Sequence, residues 1–169
     1  MVNGYGPRPA SILLIGEAPG AQELREGRPF VGRSGQLLDT LLLEAGLTRG
    51  SIRITNSCAC VDMAREDKRP LPAELEACRP RLEQEIDITR PNVILCMGNI
   101  ALQRFWPGMR IGEIYNSMRQ VGQMTVVALY HPAAALRNPH LCAVIVDGLK
   151  AARRLNNGII GSKSQMEGS

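Results

Sequence analysis

Three short apolar runs constrain the fold of this chain more than any other feature of its sequence. They are SILLI (11–15), NVILCM (92–97) and MTVVALY (124–130), and each is followed by a glycine or a polar residue. Short runs that are apolar throughout are typical of strands buried on both faces, as in a parallel sheet. A fourth strand is predicted over residues 52–55.

Segments with helical spacing alternate with these strands. Apolar residues recur three and four positions apart over 34–45 and 71–89, and a closing helix is predicted over 144–155. The alternation predicts an α/β fold, a three-layer α/β/α arrangement around a mostly parallel sheet of four strands. We expect one domain over residues 1–156 and a disordered tail over 157–169, where Gly, Ser and Lys are frequent.

The composition of the chain indicates which kinds of partner and which cellular compartment to expect. Twenty basic residues against sixteen acidic ones give a net charge of +4, which is compatible with a phosphate-bearing partner. The apolar runs are far too short to span a membrane, and residues 1–9 contain no apolar leader, so we expect a cytoplasmic protein with no membrane partner. Five cysteines, an odd number, favour reduced thiols or metal ligands over a disulfide framework.

Polar side chains follow three of the predicted strands. Glu17 lies in the Gly16–Gly20 loop after the first strand, Asn56 follows the second, and His131 follows the last. Ligands of open α/β sheets bind at the carboxyl ends of the strands, so these side chains are predicted to converge on one site.

Each candidate also has a purely structural interpretation. His131 either caps a loop or donates a hydrogen bond to a developing anion. Phe30, in the turn-like segment PFVG, either fills the core or stacks on a nucleobase. Asn56 is either a turn residue or a reader of a pyrimidine edge, because its amide both donates and accepts. The loop around Glu17 lacks the spacing and the lysine of a Walker motif, so its carboxylate is more indicative of catalysis than of phosphate binding.

Together these residues form a specific pattern. The segment GEAPGAQELREGRPFVGRSGQLLDTLLLEAGL, the pair Thr55-Asn56, the segment EACRPRLEQEIDITRPNVILCMGNIAL and the motif HPAAALRNP occur in this order between residues 12 and 139. They resemble the iron–sulphur members, family 4, of the uracil-DNA glycosylase superfamily. The resemblance covers most of the chain.

The resemblance implies a monofunctional uracil-DNA glycosylase that starts base excision repair. We expect uracil-containing DNA as its partner and a monomeric protein. It implies that Phe30 stacks on a flipped uracil, that Asn56 reads the pyrimidine edge and that His131 stabilises negative charge on the uracil O2. Glu17, with the backbone at Ala18, would line the sugar side. The remaining implied substrate-binding residues hold phosphates or enter the gap that the flipped nucleotide leaves: Ser34, Pro132, Leu136 and Arg137.

The chain departs from the family in its cysteines and in its first motif. Cys60 and Cys78 match two cluster ligands, but the usual C-x-x-C pair does not precede the first strand. A cubane cluster needs four thiolates, so we expect no cofactor, the alternative being a retained 4Fe–4S cluster. Ala18 stands where classical members carry a water-activating aspartate, and Gly20 where they carry a tyrosine that excludes thymine. Glu17 is therefore our candidate for positioning the water and for excluding thymine.

Three further possibilities follow from these departures. Covalent capture of DNA, which a related branch achieves with a loop histidine, is disfavoured because residues 61–71 contain no histidine. A non-catalytic protein that binds uracil or abasic sites is one alternative function. A glycosylase that also accepts hypoxanthine or xanthine is the other.

Overall fold

The computed structural model describes residues 1–66 and 69–167, which form one sheet with helices on both faces. The strands in this part of the chain are β1 (Ile12–Gly16), β2 (Arg53–Asn56), β3 (Val93–Met97), β4 (Met118–Val121) and β5 (Met124–Leu129). The helices are α1 (Ala21–Glu26), α2 (Arg33–Glu44), α3 (Pro72–Thr89), α4 (Asn99–Gln103), α5 (Ile111–Ile114), α6 (Pro132–Ala135) and α7 (Leu141–Glu167).

The sheet has the strand order β2-β1-β3-β5-β4. β1 pairs in parallel with β2 and β3, and β3 pairs in parallel with β5, which confirms the predicted mostly parallel sheet. In this register Gly16 lies opposite Asn56. The carboxyl ends of four strands therefore lie side by side along one edge of the sheet.

The apolar runs are buried because each central strand contributes to two cores. Leu14 of β1 packs on the face that α2 and α7 cover, together with Leu38 and Leu149. Its neighbour Leu13 packs on the opposite face, where Leu82 of α3 also lies. Successive strand residues point to opposite faces, so a strand covered on both sides is apolar throughout.

The prediction of four strands was wrong by one. The additional strand, β4, is antiparallel to β5 at the edge of the sheet and is mostly exposed. A two-residue turn joins the two strands, and Gly122 supplies its positive φ of 59°. The sequence of β4, MRQV, has no apolar run because its first three residues are exposed at the sheet edge, and only Val121 packs, partly buried, against a core.

The closing helix is much longer than predicted. α7 begins at Leu141 and continues to Glu167, so most of the segment predicted as a disordered tail is helical. Helical packing extends at least to Asn156, whose side chain is buried and donates to Ser11 Oγ at 3.1 Å. The last two residues of that predicted tail, 168 and 169, lie outside the described residues.

Helices α3 and α7 are the longest of the fold, yet neither is apolar enough to cross a bilayer. Across the described ranges, no helix combines the length and the hydropathy of a membrane span.

Candidate functional site

A cavity of about 530 Å³ opens at the carboxyl ends of the parallel strands. It brings together the three predicted catalytic residues, Glu17, Asn56 and His131, although they are distant in the sequence. Four of the predicted substrate-binding residues also line it: Ala18, Phe30, Ser34 and Arg137. The position agrees with the rule for ligand sites in open α/β sheets.

Two predicted substrate-binding residues do not line this cavity. Pro132 is buried as the first residue of α6, where a missing backbone N–H costs nothing. Leu136 is the C-cap residue that follows the same helix and is 42% exposed at the surface. Pro132 therefore shapes the backbone behind His131, and Leu136 projects outside the cavity.

His131 is the N-cap of α6, and its Nδ1 accepts the backbone N–H of Ala133 at 3.1 Å. Because Nδ1 is the acceptor, the proton of a neutral imidazole resides on Nε2. Burial, reinforced by the positive charge of Arg137, lowers the pKa of His131 to about 4 despite an opposing effect of Glu23. The side chain is thus a neutral donor at physiological pH.

Phe30 lies in the loop before α2 and is 4% exposed. Its ring stacks on the imidazole of His131, with ring centroids 5.5 Å apart and an interplanar angle of 25°. Its φ is 55°, a left-handed conformation that is rare for an aromatic residue. A flat apolar ring next to a hydrogen-bond donor is suited to binding a planar heterocycle.

Asn56 is the last residue of β2 and is 4% exposed. Arg81 of α3 holds this strand end, because its guanidinium donates to Thr55 Oγ1 at 3.1 Å and to the backbone oxygen of Asn56. Among the residues that the structure describes, the side-chain amide of Asn56 makes no hydrogen bond, so its donor and acceptor atoms stay free for a ligand.

Glu17 follows β1 and is about three-quarters buried. Burial raises the pKa of its carboxyl group, although the Arg69 guanidinium, 3.6 Å away, opposes this. A carboxylate with a raised pKa is a better base than an exposed one. The site therefore holds one neutral donor and one candidate base.

Glu23 was not predicted as a site residue, yet it lines the cavity and is 7% exposed. Its carboxylate accepts three backbone N–H groups, those of Gly20 at 3.1 Å, Val31 at 3.0 Å and Gly32 at 2.8 Å. The sequence did contain a signal for this residue. Glu23 stands three residues after Gly20, the N-cap of α1, which is the spacing of a capping box. Tyr130, Asn99 and Arg69 also line the cavity and were not predicted.

The cysteine arrangement differs from the one that the resemblance implies. Cys78 Sγ lies 3.6 Å from Cys58 Sγ, whereas Cys60 is exposed. Cys96 is fully buried within β3, where burial strongly raises the pKa of its thiol. Within 1–66 and 69–167, no three His, Cys, Asp or Glu side chains are grouped so as to hold a metal ion. The thiols in the described part of the chain therefore do not fit a four-thiolate cluster.

Comparison with known proteins identifies the family of this chain. Residues 3–156 match the family described as the uracil DNA glycosylase superfamily. The chain is 39% identical to a type-4 uracil-DNA glycosylase of Archaeoglobus fulgidus, over 83% of this chain and 74% of that protein. It is 37% identical to that of Sulfurisphaera tokodaii (91% and 74%) and 34% identical to that of Thermotoga maritima (90% and 81%). The chain therefore belongs to the uracil-DNA glycosylase superfamily.

Proposed function

We propose that this protein is a monofunctional uracil-DNA glycosylase, which hydrolyses the N-glycosidic bond of uracil in DNA and so begins base excision repair. One observation carries the proposal: a cavity at the strand ends combines the ring of Phe30, the unpaired amide of Asn56 and the neutral imidazole of His131. A stacking surface, an edge reader and an anion stabiliser are the three elements that uracil release requires.

Recognition begins with rotation of the nucleotide out of the DNA stack, which costs a few kcal/mol. Phe30 then stacks on the extruded base. The Asn56 side chain accepts the uracil N3–H through Oδ1 and donates to O4 through Nδ2, a pairing that cytosine cannot match. Burial of Asn56 makes a mismatch costly, because a buried polar atom would lose its partner.

Bond cleavage moves the electron pair of the C1′–N1 bond onto the uracil, and the sugar develops oxocarbenium character. Negative charge accumulates on the uracil O2, where the Nε2–H of His131 donates a hydrogen bond. Since the imidazole is already neutral, its tautomer is set before the reaction, and no proton has to be rearranged during it. Electrostatic stabilisation of this anion is the main contribution to the rate.

Water completes the reaction at C1′. Glu17 accepts the proton of the attacking water, a role that its raised pKa and its position at the cavity wall support. The same side chain, with the backbone at Ala18, lines the sugar side. Glu17 thus takes the role of the water-activating aspartate that classical members carry at the position of Ala18.

DNA is held at the mouth of the cavity. Ser34 and Arg137 contact backbone phosphates, and the exposed Leu136 enters the gap left by the flipped nucleotide. We further propose that residues 1–156 act as one glycosylase domain, that the protein works as a monomer in the cytoplasm, and that it needs no iron–sulphur cluster.

The test is release of uracil from a labelled single-stranded oligonucleotide, with a thymine oligonucleotide as control. We expect alkali-labile sites at uracil and no cleavage before alkali, because a monofunctional enzyme leaves the strand intact. If a reference glycosylase cleaves the same oligonucleotide and this protein does not, the proposal is refuted. Tight binding without release would instead identify a non-catalytic uracil or abasic-site binder, and release of hypoxanthine or xanthine a broader specificity.

A further inference from the structure

Phe30 is held in an unfavourable backbone conformation at the centre of the site. Its φ of 55° lies in the left-handed region, which favours glycine and disfavours a bulky side chain. Such a residue persists only if its surroundings enforce the conformation. The contacts of the following peptide bond, between Phe30 and Val31, identify what enforces it.

The carbonyl end of this peptide bond is held by Arg49. The guanidinium donates to the backbone oxygen of Phe30 and, at 3.0 Å, to that of Pro29. Its Nε donates to the carboxylate of Asp39 in α2, which orients the planar group. Arg49 is largely buried, with 22% of its side chain exposed, so water competes little for these hydrogen bonds.

The amide end of the same peptide bond is held by Glu23. Its Oε1 accepts the N–H of Val31 at 3.0 Å and that of Gly32 at 2.8 Å. A positive group therefore holds the C=O and a negative group holds the N–H of one peptide plane. Hydrogen bonds to charged groups are roughly twice as strong as neutral ones, so the pair opposes rotation of that plane.

We infer that Arg49 is a positioning residue for base stacking, and that Arg49 and Glu23 form a peptide clamp that fixes the direction of the Phe30 ring. Arg49 does not line the cavity, so it acts on substrate only through Phe30. The catalytic part of this inference rests on the proposed function. The structural part, in which Arg49 and Glu23 hold the peptide plane, does not rest on the proposed function.

The structural part is tested by amide hydrogen exchange in Arg49→Met. Loss of the guanidinium frees the peptide plane, so exchange at Val31 and Gly32 should accelerate while the strands of the sheet exchange as before. Arg104→Met, which removes a surface arginine paired with Glu83, is the matched control and should leave both amides unchanged. Unchanged exchange at Val31 and Gly32 in Arg49→Met would overturn the clamp, whether or not the protein releases uracil.

The catalytic part is tested by a double-mutant cycle with Phe30→Ala. Arg49→Met should lower kcat/KM for uracil release roughly 10- to 100-fold, the usual effect of a misplaced binding group. In the Phe30→Ala background it should cause almost no further loss, because the ring that it positions is gone. An equal loss in both backgrounds, or none in either, would overturn the positioning role.

A second variant covers the case in which Arg49→Met does not fold. Arg49→Lys keeps the charge but replaces the planar guanidinium, which donates in several directions, with one compact ammonium group. Compared with Arg49→Met, it should therefore restore only part of the lost kcat/KM and of the amide protection. Full activity and full amide protection in Arg49→Lys would show that the planar guanidinium is not required, and would overturn the clamp as described. A wild-type protein that released no uracil would refute the proposed function, with the exchange result unaffected.

Discussion

The Cα of Gly16 lies directly against the ring of Phe30: a Cβ added there would stand 2.5 Å from Phe30 Cζ. The same Cβ would also clash with Asn56 Oδ1. Gly16 ends β1, and its backbone lies under both side chains that contact the base. The backbone conformation of Gly16 does not require a glycine at this position. The absence of a side chain lets the ring and the amide share one cavity.

Gly16→Ala should therefore remove activity while leaving the sheet intact. Displacement of either side chain by a fraction of an ångström misplaces the base, and we expect kcat/KM to fall at least roughly 100-fold. The measurement is uracil release, with circular dichroism to verify folding. Gly158→Ala is the control, because a Cβ in that part of α7 meets nothing within 4 Å; it should keep full activity and gain about 0.5–1 kcal/mol of stability.

His131 should stay neutral well below the usual range of histidine. Because burial lowers its pKa to about 4, the imidazole stays mostly neutral between pH 8 and pH 5, and kcat/KM should show no inflection near 6.5 from this group. In the unfolded chain the imidazole takes up a proton near pH 6.5, whereas in the folded protein it resists protonation until about pH 4. Its contribution to the free energy of unfolding is therefore present above pH 6.5 and is lost as the pH falls toward 4.

Nitrogen-15 NMR of the ring measures this directly, and His140→Asn leaves a single imidazole to observe. At pH 6 we expect an unprotonated Nδ1 and a protonated Nε2. An imidazolium signal at that pH would contradict the proposed donor. His131→Ala should lower kcat roughly 100- to 1000-fold, as expected for loss of one anion-stabilising donor.

Glu17 should produce the acidic limb of the pH–rate profile. Its pKa is raised above 4.5 by burial, so it loses its charge, and its ability to accept a proton from water, at a higher pH than an exposed glutamate. We expect kcat/KM to fall with decreasing pH through that raised pKa. Glu17→Gln should have a low rate and no such limb; a limb that persisted in this variant would assign it to another group.

Asn56→Asp should change which base is released. A carboxylate cannot donate to the uracil O4, so uracil release should fall roughly 100-fold, while cytosine becomes a substrate because its N4 amine donates to the carboxylate. Competition between uracil and cytosine oligonucleotides measures the switch. Unchanged uracil release together with no release of cytosine would mean that Asn56 does not read the pyrimidine edge.

Iron should be dispensable. We expect the purified protein to be colourless and chelation to leave uracil release unchanged, because the described residues bring Cys78 beside Cys58 and leave Cys60 exposed. Visible absorbance that disappears together with activity on chelation would refute the expected lack of a cofactor. Cys58→Ser and Cys60→Ser should each retain activity.

The sequence by itself determined the parallel core of the sheet and three of its strand-end positions. Strands buried on both faces must be apolar throughout, and parallel strands must bring their carboxyl ends to one edge. These local and topological rules were enough to place Glu17, Asn56 and His131 on one rim. They failed for β4, whose edge position requires no apolar run, and for the last turns of α7, whose polar composition suggested a tail.

Only the tertiary structure decided how the Phe30 ring is held and which predicted residues stay outside the cavity. Arg49 contacts Phe30 across 19 positions of chain, and Glu23 contacts Gly32 across nine, so no local pattern reports either contact. Pro132, Leu136 and Arg137 were all predicted as substrate-binding residues, yet of these three only Arg137 lines the cavity. Side-chain direction depends on through-space packing, which a linear pattern of residues does not encode.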